Sequence, residues 1–495
     1  MDADSLAAID IGSNSFRLEL ARIGSQGYRR IEYLKRVVRL GAGLDEHSRL
    51  SDEAMRRGLE CLAEFSSHLR HHAPRSVRAV ATQTLREAAN RNDFIARAEK
   101  ALGFPIEIIS GREEARLIYR GVSYLQPAAQ RRLVIDIGGR STELILGQGA
   151  DVLAAESFPV GSVGLSMRCF ADGRFNERSF AAAQVVAAAQ FEEALQTFAA
   201  PLWQDALGSS GTVGAASDVL RASGVSDGRI DKAALDWLLQ QCLRAGSAQA
   251  LSLSGLKEDR RAVIGGGVAI LRALFDSFDI GVLWPTKGAL RQGLIVELNE
   301  RLMARTDAQD LRSRSVRLLQ QRFAADAGHA ARVRETALAL WDAVEVLAEP
   351  EARLELAWAA ELHELGMVLS HHDHHRHSAY MVGHADAPGF SQSQLRRVAN
   401  LVLGQRGGLK KMDDALREPR LAWQLLCLRL AVIAHHARRA TVGSPWHAQR
   451  QGGSELRLQW ALPAEAAAAR TRYLLEEEAS LWQRQGPLRL QLDFG

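Results

Sequence analysis

Two segments of the chain follow one plan. Residues 7–20 read AAIDIGSNSFRLEL and residues 133–146 read LVIDIGGRSTELIL. Each is an apolar run closed by an aspartate, then Ile-Gly, then small polar residues, then a second alternating run. Apolar runs flanking a short glycine-bearing turn predict a β-hairpin. Two such hairpins predict two α/β halves built alike. Aligning them pairs Asp10 with Asp136, Gly12 with Gly138, Ser15 with Ser141 and Arg17 with Glu143. Tight turns of this kind expose backbone N–H groups and hydroxyls to an anion, because no bulky Cβ blocks the approach. An aspartate just before the turn can hold a metal against a bound phosphate, directly or through water. Two copies facing each other would grip a polyphosphate from both sides.

At 495 residues the chain exceeds one ordinary core, so two to four domains are expected. No apolar run reaches the ~18 residues that span a bilayer. The opening residues, MDADSL, lack the basic and apolar regions of a signal peptide. Cys61, Cys169, Cys242 and Cys427 show no CxxC spacing, which argues for a reducing compartment and against structural zinc. A net charge of +4 is too modest to identify a partner, and no nucleic acid is expected.

Between the two hairpins, short β-rich runs alternate with helical patterns. SVRAVATQTLREAANRNDFIARAEKALG reads strand, loop, then a helix ending at Gly103. PIEIISGREEARLIYRGV reads a strand over 106–109, a turn at Ser110 and Gly111, and a helix opening at 112–114. Glu113 and Glu114 are then equal candidates for an acid at the helix start. The region from about 130 to 300 continues α/β, with two further glycine-rich turns expected at 208–213 and 264–270. Beyond residue 303 long amphipathic patterns dominate, and eleven of the fifteen histidines lie there. A closing segment reads strand, helix, strand. The expected division is 1–120, 121–302, 303–440 (helical) and 441–495 (a small α/β subdomain).

In AAIDIGSNSFRLEL, AVATQTLREAANRNDF, IEIISGREEARLIYRGV, LVIDIGGRSTELILG, GSSGTV and GALRQGLI, the chain resembles the exopolyphosphatase / guanosine pentaphosphate phosphohydrolase (Ppx/GppA) family. That family lies within the actin-like, sugar kinase and Hsp70 ATPase superfamily. The resemblance implies a fold of duplicated actin-like (ribonuclease H-like) domains. It also implies a Mg²⁺-dependent exopolyphosphatase in the cytoplasm, with attachment at the inner-membrane surface a second option. The substrate would be inorganic polyphosphate, or alternatively guanosine pentaphosphate. A homodimer and K⁺ as monovalent activator complete the expectation. A non-enzymatic actin-like scaffold is the distant rival.

The family's catalytic glutamate falls on Glu114, which makes it the expected general base. Asp136 and Glu143, seven residues apart around a hairpin, are expected to face each other and share Mg²⁺ or its waters, with Asp10 completing the set. Arg86 follows a strand and could fork onto a phosphate as arginine does. Arg17 supplies positive charge opposite the metal. Ser13, Asn14, Ser15, Gly138, Gly139, Ser141, Thr142, Ser210, Gly211 and Thr212 are the expected phosphate cradle. Arg140 departs from the small residues usual there; it is expected either to add a phosphate contact or to point to solvent. Gly265 to Gly267 stand where related nucleotide enzymes hold adenosine, but close helix–strand packing is the reading preferred there.

In the C-terminal part, AAELHELGMVLSHHDHHRHSAYMVGHADAPGFS also matches the family. LHELG with His329 upstream resembles the HD pattern of metal phosphohydrolases, but Glu364 stands in the aspartate position. The module therefore reads as a non-catalytic relic. Arg406, Lys410, Lys411, Arg429, Arg438 and Arg439 are candidates to line a channel for a long polyanion.

Overall fold

The computed structural model describes residues 5–25, 27–303, 310–344, 350–438, 446–460 and 466–494. Two compact units divide the chain, Met1–Met303 and Ala304–Gly495.

The first unit holds two sheets of matching topology. Strands β1 (Leu6–Ile11), β2 (Ser15–Gly24), β3 (Gly27–Val37), β4 (Ser76–Ala81) and β5 (Ile106–Ile108) form one, in the order β3-β2-β1-β4-β5. Strands β6 (Arg131–Ile137), β7 (Thr142–Gln148), β8 (Asp151–Phe158), β9 (Asp205–Ser209), β10 (Ile230–Asp231) and β11 (Val282–Pro285) form the other, in the order β8-β7-β6-β9-β11-β10. Each sheet is an antiparallel β-meander whose first strand then pairs in parallel with a strand reached by a helical crossover. The second sheet adds only the edge strand β10. This duplicated α/β architecture is actin-like. The pattern of burial follows position: β1 is buried along its whole length, as a central strand covered on both faces must be, while the edge strand β3 exposes every few residues.

The halves exchange helices. The helix Gly111–Leu125 follows β5 of the first sheet but packs on β7 and β8 of the second. The helix Leu290–Met303 follows β11 of the second sheet and packs on β1 of the first. One apolar core, with Ala8, Val80, Leu117, Val134, Ile145 and Leu294, joins both sheets through this pair. The expected boundary at 120/121 therefore falls inside a continuous helix; the sequence restarts at 130, but the packing does not. Glu297 adds a buried ionic tie, accepting from Arg78 at 2.8 Å, from Arg301 at 2.6 Å and from Arg116. Although burial opposes ionisation, these arginines hold its carboxyl below the usual range.

The stretch 264–270 is no turn. It opens the helix Ile264–Ser277, and its glycines admit neighbours: a Cβ on Gly266 would lie 2.5 Å from the Ser162 carbonyl oxygen, and one on Gly267 2.6 Å from Thr212. The space is filled by packing.

The second unit is mainly helical. β12 (Trp446–Gln451), β13 (Glu455–Trp460) and β14 (Arg489–Asp493) form a small sheet beside the helix Ala466–Gln485. β12 was not foreseen. Leu456, Leu458, Trp482 and Leu490 enter the same core as Trp358, Trp423 and Leu426 of the helices, so the closing segment is no separate globule. The boundary expected at 440/441, and Arg439, lie outside the described residues. Of the expected channel cations, Arg429 is buried and spends its guanidinium on Glu478 and the carbonyls of Gly404 and Gly407.

The helix exchange depends on two glycines. A Cβ on Gly293 would sit 1.8 Å from the Leu117 carbonyl oxygen, and one on Gly121 2.3 Å from that of Ala289. Gly293→Ala must push the helices apart. It should destabilise the first unit by about 3 kcal/mol or more, read as a lower denaturant midpoint, whereas Gly281→Ala, with nothing within 4 Å, should have little effect.

Candidate active site

The two glycine turns meet. A Cβ on Gly139 would lie 3.3 Å from Ser13 Cβ and 3.6 Å from Asn14 Cβ. Each turn needs its first glycine for the same reason: a Cβ on Gly12 would lie 2.9 Å from Ser15 O, and one on Gly138 3.1 Å from Ser141 O. Between the turns opens a cleft of about 380 Å³. Asp10, Ser13, Asn14, Ser15, Arg17, Glu114, Asp136, Gly138, Gly139, Ser141, Ser210, Gly211 and Thr212 all line it.

Several features of the lining suit an anion. Ser15 Oγ is buried with no hydrogen-bond partner. Ser210, the first residue of the helix Ser210–Ala222, holds φ at 89°, a conformation rare outside glycine, which turns this helix N-terminus into the cleft. Gly211 leaves room for the Arg260 guanidinium, whose Nη2 would lie 2.0 Å from a Cβ there. Burial, with the like charge of Arg17, pushes the Arg260 pKa down, and among the described residues it makes no ion pair. Lys35, Lys257, Lys287 and Arg291 also line the cleft.

Register then separates the two jaws. Asp10 stands opposite Arg17 and Asp136 opposite Glu143. Arg17 donates to Asp10 Oδ2 at 2.9 Å, and Arg291 lies 3.6 Å from the same oxygen. On the other side three acids gather. Ser110 caps the helix Gly111–Leu125 and so fixes its first turn, from which Glu113 and Glu114 diverge. Glu113 is bound by Arg116 at 2.7 and 2.8 Å, a structural pair. Glu114 faces the cleft and accepts from Arg86 Nη1 at 2.8 Å. Burial, offset in part by Arg86 and reinforced by Asp10 and Asp136, pushes the Glu114 pKa up to about 7. Burial, then Glu114 and Asp136, raise Glu143 well above the carboxylate range. Burial likewise raises Asp136.

Such a set fits a divalent cation, which relieves both burial and mutual repulsion. Asp136 and Glu143 are the residues that would hold it, since Mg²⁺ is usually bound through one or two carboxylates and otherwise keeps its waters. Asp10 does not belong with them. Its carboxylate pairs with Arg17, and Asp10, Asp136 and Glu143 are not a set whose ligand atoms all lie within 4.8 Å of one another, so Asp10 would reach that cation through water.

Other expected residues are placed differently. Glu143 lies beneath the cleft wall, 1% exposed, where Ser157 Oγ donates to it at 2.8 Å. Thr142 is fully buried and spends its hydroxyl on Val160 O. Arg86 grips Glu114, Gln83 and the Ile109 carbonyl, which makes it a positioning residue. Arg140 is outside the lining; it reaches across to Glu87 at 2.7 Å and to Gly41 O. Glu87 accepts in turn from Gln83, so a polar chain runs from Arg140 to Glu114. Lys35, Arg260 and Arg291 were not singled out in the sequence, although Arg291 lies within GALRQGLI; β3 brings Lys35 to the cleft, and the helices Glu258–Arg261 and Leu290–Met303 bring Arg260 and Arg291.

The model of the Ppx/GppA phosphatase family matches residues 20–302, and that of the same family's domain III matches residues 311–479. Among solved structures the chain is similar to an exopolyphosphatase-like protein, with 27% identity over 61% of this chain and 100% of the other and a TM-score of 0.55. It is similar to an Aquifex aeolicus member of the Ppx/GppA family, with 25% identity over 60% and 98% of the two chains and a TM-score of 0.51. An exopolyphosphatase from Cytophaga hutchinsonii shares the fold, at 24% identity over 59% and 97% and a TM-score of 0.54.

The pKa of Glu114 gives a stability test. Its folded value, about 7, exceeds the ordinary 4.5, so the stability linked to its proton is present below about 4.5 and lost as pH rises through 7. Glu114→Gln keeps a neutral acceptor for Arg86 and escapes that loss. In metal-free buffer the variant should match the wild type near pH 4.5 and exceed it at pH 8 by on the order of 2 kcal/mol, followed by urea unfolding at each pH.

Proposed function

Because the chain belongs to the Ppx/GppA phosphatase family, we propose that it is an exopolyphosphatase. It hydrolyses the terminal phosphoanhydride of inorganic polyphosphate and releases orthophosphate. The observation that carries this is Glu114, a buried carboxylate poised near neutrality in a cleft lined by cations and glycine turns. In the reaction a water oxygen bonds to the terminal phosphorus, Glu114 takes the water's proton, and the anhydride bond breaks. The shortened chain leaves as an anion that needs no proton. Arg86 holds Glu114 in place, and Arg17, Arg260, Lys35 and the turn amides bind phosphate oxygens. Mg²⁺, when bound at Asp136 and Glu143, neutralises charge on the transferred phosphoryl group. The same reading includes a homodimer acting in the cytoplasm and K⁺ as activator.

Two features favour a plain phosphate chain over a nucleotide. The cleft offers one aromatic side chain, Tyr33, against six lining cations, Arg17, Lys35, Lys257, Arg260, Lys287 and Arg291. The Gly265 to Gly267 segment, where a purine would lie in related nucleotide enzymes, is buried against neighbouring helices. Turnover of long polyphosphate, short polyphosphate and guanosine pentaphosphate under matched Mg²⁺, with and without K⁺, tests the assignment. The expected result is the highest kcat/KM on polyphosphate; a clear preference for the pentaphosphate would reassign the substrate.

Glu114→Gln should lower kcat by ~10²-fold or more while polyphosphate binding persists. Asp136→Asn and Glu143→Gln should raise the Mg²⁺ concentration for half activity. A magnesium titration unchanged in both variants would remove them as the metal's holders.

A further inference from the structure

The second unit holds a chemistry that the proposed hydrolysis does not use. Among the described residues, one set of three metal-capable side chains brings its ligand atoms within 4.8 Å of one another: His329, His363 and Glu364. His329 comes from the helix Ala327–Val344; His363 and Glu364 directly follow the helix Pro350–Leu362. Packing of the two helices brings the imidazoles together, with ring centroids 5.6 Å apart.

The protonation pattern suits ligation. His363 Nδ1 donates to the Ala360 carbonyl at 2.7 Å, so its Nε2 carries the bare lone pair. That Nε2 is buried and has no hydrogen-bond partner. A ring nitrogen held by a backbone carbonyl while the other faces inward is the usual support of a metal-bound histidine. His329 Nε2 lies 3.8 Å, and His363 Nε2 3.9 Å, from Glu364 Oε1. Donors roughly 2.1 Å from a tetrahedral ion stand about 3.4 Å apart. Closure by about half an ångström brings each imidazole to ligand spacing from Glu364, and the imidazole nitrogens, already within 4.8 Å of each other, complete the triad with a shift of no more than about 1.4 Å. The scattered cysteines argued against structural zinc; this set needs none.

We propose that His329, His363 and Glu364 form a binding site for a divalent transition metal of the Zn²⁺ class, with its remaining position open to a pocket. Two imidazoles and one carboxylate select a borderline ion over Mg²⁺. The pocket, about 510 Å³, is also lined by His371, His374, Arg406 and His436. Without metal, Arg438 is the cation on Glu364, donating to both oxygens at 2.6 Å. Arg438 is thus the metal's competitor, and it is partly exposed, so its substitution leaves the core intact.

The test is a Co²⁺ titration of the chelator-stripped full-length protein in excess Mg²⁺, read in the visible region, followed by Zn²⁺ displacement and elemental analysis. Tetrahedral nitrogen-bound Co²⁺ absorbs strongly, whereas octahedral oxygen-bound Co²⁺ is pale. The expected result is one strong-absorbing equivalent per chain, displaced by Zn²⁺. His329→Gln and His363→Gln should weaken binding at least ~10-fold, with unchanged circular dichroism, and Arg438→Gln should tighten it. The site is overturned if the wild type gives no such band. It is equally overturned if the band survives both histidine variants and disappears on substituting the exposed His371 and His372, or if Arg438→Gln weakens binding.

Discussion

Everything in the catalytic unit turns on one position in a duplicated hairpin. The residue opposite the aspartate is Arg17 in one copy and Glu143 in the other. Opposite Arg17, Asp10 is a neutralised ion pair that supports the turn. Opposite Glu143, Asp136 is one of three acids whose pKa burial raises first; Glu114 and Asp136 then raise Glu143, and Asp10 adds to the rise of Glu114 and Asp136. In the proposed reaction, this single charge difference divides a symmetric scaffold into a phosphate-gripping jaw and a proton- and metal-handling jaw. Burial is what gives the difference its force, since charges that water would screen act strongly on each other here.

The helix exchange makes that division usable. Glu114 belongs by sequence to the first half, yet its helix packs on the second sheet, beside Tyr119 against Gly147. Glu114 is therefore carried to the acidic jaw by packing. The glycines at the helix crossing and the Glu297 network fix how closely the halves approach. Arg86 then sets the orientation of the Glu114 carboxylate from the first sheet's side. The chain from Arg140 through Glu87 and Gln83 to Arg86 links the second turn to the same carboxylate.

Much of this was legible in the sequence because it is local. The hairpins, the Ser110 cap, the Gly103 helix end and the pairing of Arg17 with Glu143 all follow from residues within a few positions of each other. Glu113 and Glu114 were indistinguishable by residue type; about 100° of helix rotation turns one to Arg116 and the other to Arg86, and only tertiary contacts reveal which faces the cleft. Arg260, Lys35 and Arg291 were missed because they come from distant elements. Arg140 and Thr142 were placed in the site, and Asp10 on the metal, by their neighbours in sequence, but a side chain's direction decides its role. Arg140 is long enough to leave the turn, Thr142 points into the protein, and Asp10 meets arginine. The glycines at 264–267 were read as a turn because glycine signals both bends and close packing, and sequence does not separate the two. β12 was missed although Gly452 and Gly453 mark the hairpin turn to β13, because its own residues, WHAQRQ, are mostly polar and give no apolar alternation.

The central claim is that Glu114 is the base and that its ionisation is set by burial against Arg86. The most direct test is the pH dependence of kcat/KM on short polyphosphate for the wild type and for Arg86→Gln, at fixed Mg²⁺. Arg86 favours the charged form of Glu114, so removing it must make proton loss harder. The acid limb of the profile should move to higher pH in the variant, whatever happens to its height. A limb that stays in place, or moves to lower pH, would contradict the account.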